Sequence, residues 1–194
     1  MIDFSDFLMY LRYYKKTAYL SYIKATKGLD FTGRIEAADE KLRGYEGCYP
    51  INSILKKLKI TSSDSVIDIG CGKGLFLYYA SQFQFQKIDG IEYFAPLAET
   101  AKQNAAIYSD GRIHIYCQDA REYVNYDRYN YFFINNPFSD EILEEVVIRL
   151  KESCLSRPRK ITVIYQFPFH QEKFVEHGFE LVYEKFPNTV LTFE

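Results

Sequence analysis

The chain has 194 residues and a mass of 22.9 kDa, the size of one domain, which is enough to bury a core without disulfides or a structural metal. Its 24 basic and 26 acidic residues leave a net charge of −2, excluding the strongly basic balance of a general nucleic-acid binder but not a local patch. Ten Gly and six Pro are too few for a disordered or collagen-like chain, and no apolar run approaches the 18 residues of a membrane span.

In chain order, the first segment carries Phe4, Phe7, Leu8, Leu11, Tyr14, Ala18, Tyr22 and Ala25 at helical spacing. Arg12, Lys15, Lys16 and Lys24 fall off that stripe, and Gly28 is a stop signal. The spacing predicts a helix over 3–27 whose aromatic stripe packs against the rest of the protein. A second short helix is expected over 34–43, closed by Gly44, so that 1–49 form a helical appendage and 50–194 the main domain. A helix over 51–59 follows, with Ile51, Ile54, Leu55 and Leu58 on one face.

From Ser65 onward short apolar runs alternate with helical stretches. Strands are expected at 65–69, 86–91, 112–117, 129–134, 159–166, 179–185 and 188–193. Helices are expected at 73–83, 94–107, 119–124, 139–154 and 170–177. This alternation predicts an α/β three-layer sandwich with a mostly parallel, seven-stranded sheet covered on both faces. Only Phe186-Pro187-Asn188 separates the last two runs, so they should form an antiparallel hairpin at the sheet's C-terminal edge.

The most informative stretch is Asp68-Ile69-Gly70-Cys71-Gly72-Lys73-Gly74, an apolar strand running into a glycine turn that opens a helix. Glycines there let the backbone fold sharply and bring amide groups close to a ligand. A phosphate-binding loop needs Ser or Thr after its lysine, and Gly74 stands there; a dinucleotide loop needs its third glycine where Leu75 stands. Glu92 ends the second strand 20 residues after Gly72, where a carboxylate can accept both hydroxyls of a ribose or stand as a solvated strand-end acid. Asp119-Ala120 follows the third strand, where Asp119 is also a natural helix N-cap.

The pattern D-x-G-x-G-x-G after a strand, followed by these acids, resembles the class I, Rossmann-like, S-adenosylmethionine-dependent methyltransferases. The resemblance implies a Rossmann-like fold and S-adenosyl-L-methionine as cofactor. It places Asp68, Gly70, Cys71, Gly72 and Gly74 around the methionine part, Glu92 on the ribose, and Asp119 with Ala120 at the adenine.

After the fourth strand, Asn135-Asn136-Pro137-Phe138 resembles motif IV of the amino-methyltransferases, (Asp/Asn/Ser)-Pro-Pro-aromatic, with Asn136 in place of the first proline. The resemblance implies catalytic roles for Asn135, Pro137 and Phe138, with Asn135 also beside the cofactor. Methyl transfer to an amine needs a lone pair aimed in line at the methyl carbon, and an amide oxygen that accepts the amine's protons aims it. Over 45–150 the chain is also similar to the catalytic domain of the non-SET histone lysine methyltransferases. Its Tyr49-Pro50, Gly90-Ile91-Glu92, Asn135-Asn136 pair and acidic helix over 139–148 carry that likeness. The long helical N-terminus and basic tail of that family have no counterpart here, so no histone substrate follows.

The expected function is therefore methyl transfer to a nitrogen, on a protein lysine or a nucleobase. Two alternatives stay open: an O-methyltransferase for a sugar or small metabolite, with His170 as its base, or a non-catalytic cofactor-binding module. The acceptor partner (protein, nucleic acid or small molecule) and the oligomeric state are open as well. Four well-separated cysteines suggest buried, reduced thiols, and Asp3 and Asp6 speak against a secretory signal, so the expected location is cytoplasmic with no membrane partner. No metal is expected, His114 should be packed within its strand, and Ser156–Lys160 should be a solvated basic loop.

Overall fold

The computed structural model describes residues 4–35 and 44–194. Helix α1 (Phe4–Lys27) is followed by two short paired strands, β1 (Arg34–Ile35) and β2 (Tyr45–Glu46), and by α2 (Asn52–Lys57). The alternating region holds β3 (Ser65–Ile69), α3 (Leu75–Ala80), β4 (Lys87–Glu92), α4 (Ala95–Tyr108) and β5 (Ile113–Cys117). Two 3₁₀ turns then lead to β6 (Tyr131–Ile134), α5 (Asp140–Ser156), β7 (Ile161–Gln166), α6 (Glu172–Glu176), β8 (Glu180–Lys185) and β9 (Asn188–Phe193). The large sheet has the order β5-β4-β3-β6-β7-β9-β8, parallel from β5 to β7 and antiparallel at β9 and β8. This is the mostly parallel seven-stranded sheet with a C-terminal antiparallel hairpin that the alternation predicts.

Successive strand residues point to opposite faces, and both faces are covered. Val66, Ile88, Phe133 and Ile164 join one apolar cluster with Leu20, Ile23, Phe31, Leu55 and Phe76 from the N-terminal region and α3. Their neighbours Ile67, Ile91, Phe132 and Val163 join a second cluster with Val146 and Leu150 of α5. Phe76 and Phe133 stack with ring centroids 4.0 Å apart and nearly parallel planes, fixing α3 over the centre of the sheet.

Four local expectations are corrected. From Leu11 onward the expected aromatic stripe of α1 is its exposed side: Tyr14 is 65% and Tyr22 63% exposed, whereas Lys16, Leu20 and Ile23 are buried. Lys16 is tolerated inside because its long stem carries the amine to the carbonyl of Gly47 (2.8 Å), to Glu46 (3.3 Å) and over the Tyr49 ring. Arg34–Ile35 pair as a strand with Tyr45–Glu46 instead of opening a helix; the rest of the expected 34–43 helix, 36–43, lies outside the described residues. His114 and Cys117 are exposed on β5, the edge strand of the large sheet. Arg159, expected in a solvated loop, instead donates to the carbonyls of Tyr129, Ser153 and Tyr126 and ties the end of α5 to the start of β6. No described helix is long and apolar enough to cross a membrane.

Candidate functional site

The strand order reverses between β3 and β6: β4 and β5 extend to one side of β3, and the chain then crosses back to place β6 on the other. In such sheets ligands bind outside the carboxyl ends of the strands at this reversal. The residues there are the Gly70–Gly74 turn, Glu92, and the Asn135–Pro137 loop.

The turn is built by three glycines with positive φ, +80° at Gly70, +53° at Gly72 and +81° at Gly74. The amides of Gly70 and Cys71 both donate to the Ile91 carbonyl at 2.9 Å, anchoring the turn to β4. Close approach makes two of these glycines necessary. A Cβ on Gly70 would stand 2.6 Å from Cβ of Pro137, and one on Gly72 would overlap the ring of Tyr45. Gly70 therefore brings the strand-end turn and the Asn135–Pro137 loop into direct contact. Cys71 is buried against Gly90, and burial together with the Asp68 charge holds its thiol protonated.

Asp68 is 2% exposed, and its Oδ1 has no hydrogen-bond partner among the described residues. Burial, reinforced by the nearby Glu92 charge, pushes its carboxyl well above the usual range. Glu92 is also buried; Oε2 accepts from the Gly72 amide at 2.7 Å and Oε1 from the Phe94 amide at 2.8 Å. Burial raises its pKa, and these amide bonds temper the rise. Each Glu92 oxygen has lone-pair capacity for one more donor. Asp119 caps the first 3₁₀ turn through the Arg121 amide at 2.8 Å and holds the Arg121 guanidinium, which lowers its pKa. Ala120 is buried beside it.

At the end of β6, Asn135 presents a buried Oδ1 that also has no partner among the described residues. Asn136 has φ +47° and receives a hydrogen bond from Tyr165 Oη at 3.3 Å. A proline there is excluded, since its ring locks φ near −65°; Asn is among the residues that tolerate the left-handed region. Phe138 is turned into the second apolar cluster and is only 6% exposed. The structure thus gathers Asp68, Gly70, Gly72, Glu92, Asn135 and Pro137 at one strand-end edge, sets Asp119 and Ala120 beyond β4, and withdraws Phe138. His170 follows β7, with Nδ1 3.6 Å from Glu172.

Several residues of this edge carry no legible sequence signal. Lys73 bonds Asp30 (3.2 Å) and the Thr32 carbonyl (2.7 Å), while Asn104 donates to the carbonyls of Asp30 and Lys73 and accepts from the Asp30 amide. Burial opposes ionisation of Asp30, but bonds from Thr32, Lys73 and Lys24 bring its pKa down to about 2. Tyr45, whose hydroxyl donates to the Phe31 carbonyl at 2.9 Å, closes the cover over Gly72.

Two buried oxygens without a partner among the described residues, one acid with spare lone pairs and a turn with glycine at three of its five positions fit a ligand bearing a cation and adjacent hydroxyls. Residues 51–180 match the methyltransferase small domain family. No curated protein sequence matches the chain. Among solved structures, an S-adenosylmethionine-dependent methyltransferase from Aquifex aeolicus superposes with a TM-score of 0.57 at 13% identity, over 72% of this chain and 86% of that one. A ribosomal protein L11 methylase from Lactobacillus delbrueckii subsp. bulgaricus gives 0.56 at 15% identity, over 73% and 75%. An RNA methyltransferase from Salinibacter ruber, in complex with S-adenosyl-L-homocysteine, gives 0.54 at 13% identity, over 77% and 92%. At these identities the superpositions show a shared fold.

Proposed function

The chain belongs to the methyltransferase small domain family and is an S-adenosylmethionine-dependent methyltransferase, and from that premise we propose that its acceptor is a nitrogen, the amine of a protein lysine or of a nucleobase. The observation that carries this reading is the buried, partnerless Oδ1 of Asn135, held against the glycine turn through the contact between Pro137 and Gly70.

When bound, the cofactor supplies a methyl carbon made electrophilic by its sulfonium. The protein's part is binding and aim. Asp68 offers a buried carboxylate oxygen to the cofactor's ammonium, and Glu92 offers its spare lone pairs to the ribose hydroxyls. Asn135 Oδ1 accepts a hydrogen bond from an N–H of the entering amine and so points the nitrogen lone pair away from itself. A neutral amine then needs no strong base; it sheds its proton to solvent after the transfer. The apolar packing of Pro137 on Gly70 keeps that aim fixed.

Asn135→Ala is expected to lower kcat about tenfold or more, the loss of one orienting bond of roughly 1.4 kcal/mol, with the cofactor Kd nearly unchanged. Single-turnover transfer from radiolabelled cofactor to lysine-bearing peptides and to oligonucleotides reads this. Undiminished turnover with a nitrogen acceptor overturns the assignment, and transfer confined to a hydroxyl acceptor replaces it with the O-methyl reading. The free cysteines, three of the four buried, support a reducing, cytoplasmic setting for this activity.

A further inference from the structure

A groove of about 490 Å³ lies between α1, the start of α2 and the β8–β9 hairpin, within the range of real ligand sites. All but three of its lining residues lie outside the 51–180 stretch that matches the family. Its walls carry Arg12, Lys15, Lys16, Lys57 and Lys185, and no acidic side chain among the described residues lines it. Lys16 is already satisfied by Glu46 and Gly47, and Lys57 lies over the Tyr183 ring at 4.8 Å. Arg12, Lys15 and Lys185 are exposed and have no ion-pair partner among the described residues. In a protein of net charge −2, five cations gathered on one concave surface attract a polyanion.

The groove is also aromatic. Tyr19, Tyr49, Tyr183 and Phe186 line it, and Tyr19 and Phe186 are largely exposed. Cations that follow a phosphate backbone, interleaved with flat rings on which unpaired bases stack, are the combination that single-stranded nucleic acid requires; in a duplex the base faces are already stacked. An acidic peptide would need the cations and leave the rings without a partner.

The groove adjoins the methyl-transfer edge. The Tyr49 amide donates to Gln166 Oε1 at 2.6 Å, and Gln166 Nε2 donates to Asn188 Oδ1 at 2.8 Å, so both walls are tied to the end of β7. Its neighbour Tyr165 pairs in register with Ile134, the residue before Asn135. Phe167 stands between, packed on Tyr49 and Phe186 with centroids 5.5 and 5.6 Å away.

We propose that this groove binds single-stranded nucleic acid, with phosphates on Arg12, Lys15 and Lys185 and bases against Phe186 and its neighbouring rings, and leads the strand toward Asn135. That the bound strand carries the acceptor amine rests on the nitrogen-transfer reading above; binding in the groove does not.

The test is fluorescence anisotropy of a labelled 12-nucleotide single-stranded RNA, and of the DNA of the same sequence, on the full chain between 50 and 200 mM salt. Three phosphate contacts predict that log affinity falls with log salt at a slope of about −2. The triple variant R12Q/K15Q/K185Q should bind at least tenfold more weakly at 50 mM salt, with a slope near zero. Phe186→Ala should weaken binding about tenfold at an unchanged slope, the loss of one stacked base. Calorimetric S-adenosylmethionine affinity should stay at the wild-type value in both variants, which excludes misfolding as the cause. Wild-type RNA affinity in the triple variant overturns the proposal. So does poly-glutamate that displaces the RNA as well as unlabelled RNA does, with Phe186→Ala silent, because the groove would then read charge alone. Methyl transfer is not measured in this experiment, so its outcome is separable from that of Asn135→Ala.

Discussion

Glu92→Ala is expected to weaken S-adenosylmethionine binding about a hundredfold in isothermal titration calorimetry. The substitution removes a buried carboxylate placed to accept two ribose hydroxyls, and hydrogen bonds to a charged group are worth about 1.5–3 kcal/mol each. It also leaves the Gly72 and Phe94 amides without the acceptors they now hold at 2.7 and 2.8 Å. The turn that shapes the pocket loosens at the same time as its anionic wall is lost. Glu92→Gln separates the two effects: its single amide oxygen can hold one of those amides, so most of the fold's stability should return while ribose binding stays weak. Affinity within threefold of wild type in Glu92→Ala would remove Glu92 from the ribose assignment.

Asp68→Asn is expected to make the cofactor-free protein more stable and the cofactor-bound complex much weaker. Asp68 is buried with an unpartnered oxygen, and its carboxyl is held well above its ordinary value of 3.8 by burial first and the Glu92 charge second. The sign follows from proton linkage: a native state that holds its proton to higher pH than the unfolded chain loses stability as pH rises. The penalty begins near pH 3.8, grows upward through the raised pKa of Asp68, and is fully present above it. Asn carries no such charge, so at neutral pH the apo variant should melt at least about 2 °C higher, roughly the shift from 1 kcal/mol in a chain of this size. Its Tm should also change less with pH than that of the wild type across this window. Cofactor affinity should fall at least tenfold, since the ammonium would lose its charge partner. A lower apo Tm in Asp68→Asn, measured by scanning calorimetry at pH 7, would show that Asp68 is not a stored charge awaiting a ligand.

Asp30 works in the opposite direction and sets a lower limit to this behaviour. Its pKa of about 2 means that the clamp of Lys73, Lys24 and Thr32 contributes stability that is lost only as pH falls from 3.8 toward 2. Acidification from neutrality should therefore first raise the Tm of the apo protein and then lower it.

The parts of the site legible in the sequence are those whose chemistry is local. Gly70, Gly72 and Gly74 announce themselves because left-handed backbone and close approach are properties of single residues. Glu92 is found by counting, since one β-α-β unit sets the distance from the turn to the next strand end. Asn135 follows a strand directly and inherits its position. The burial of Phe138 in the second apolar cluster is not legible in the sequence, because it depends on packing against distant residues. Tyr45, Asp30 and Asn104 carry no signal, because their partners lie 14, 43 and 74 residues away along the chain.

The amino-acid sequence by itself determined the sheet, its terminal hairpin, the turn after β3 and the two acids beside it. Period-two and helical patterns, glycine conformation and strand-end spacing act within one β-α-β unit and survive without knowledge of distant contacts. Only the tertiary structure decided which face of α1 is buried, since a satisfied lysine can outcompete a tyrosine stripe when its amine finds a carbonyl and a carboxylate. Only it, too, gathered Arg12, Lys15, Lys57 and Lys185 into one basic groove in a chain whose total charge is close to zero. Composition sums charges over the whole chain, whereas attraction depends on the distances between them, and folding sets those distances.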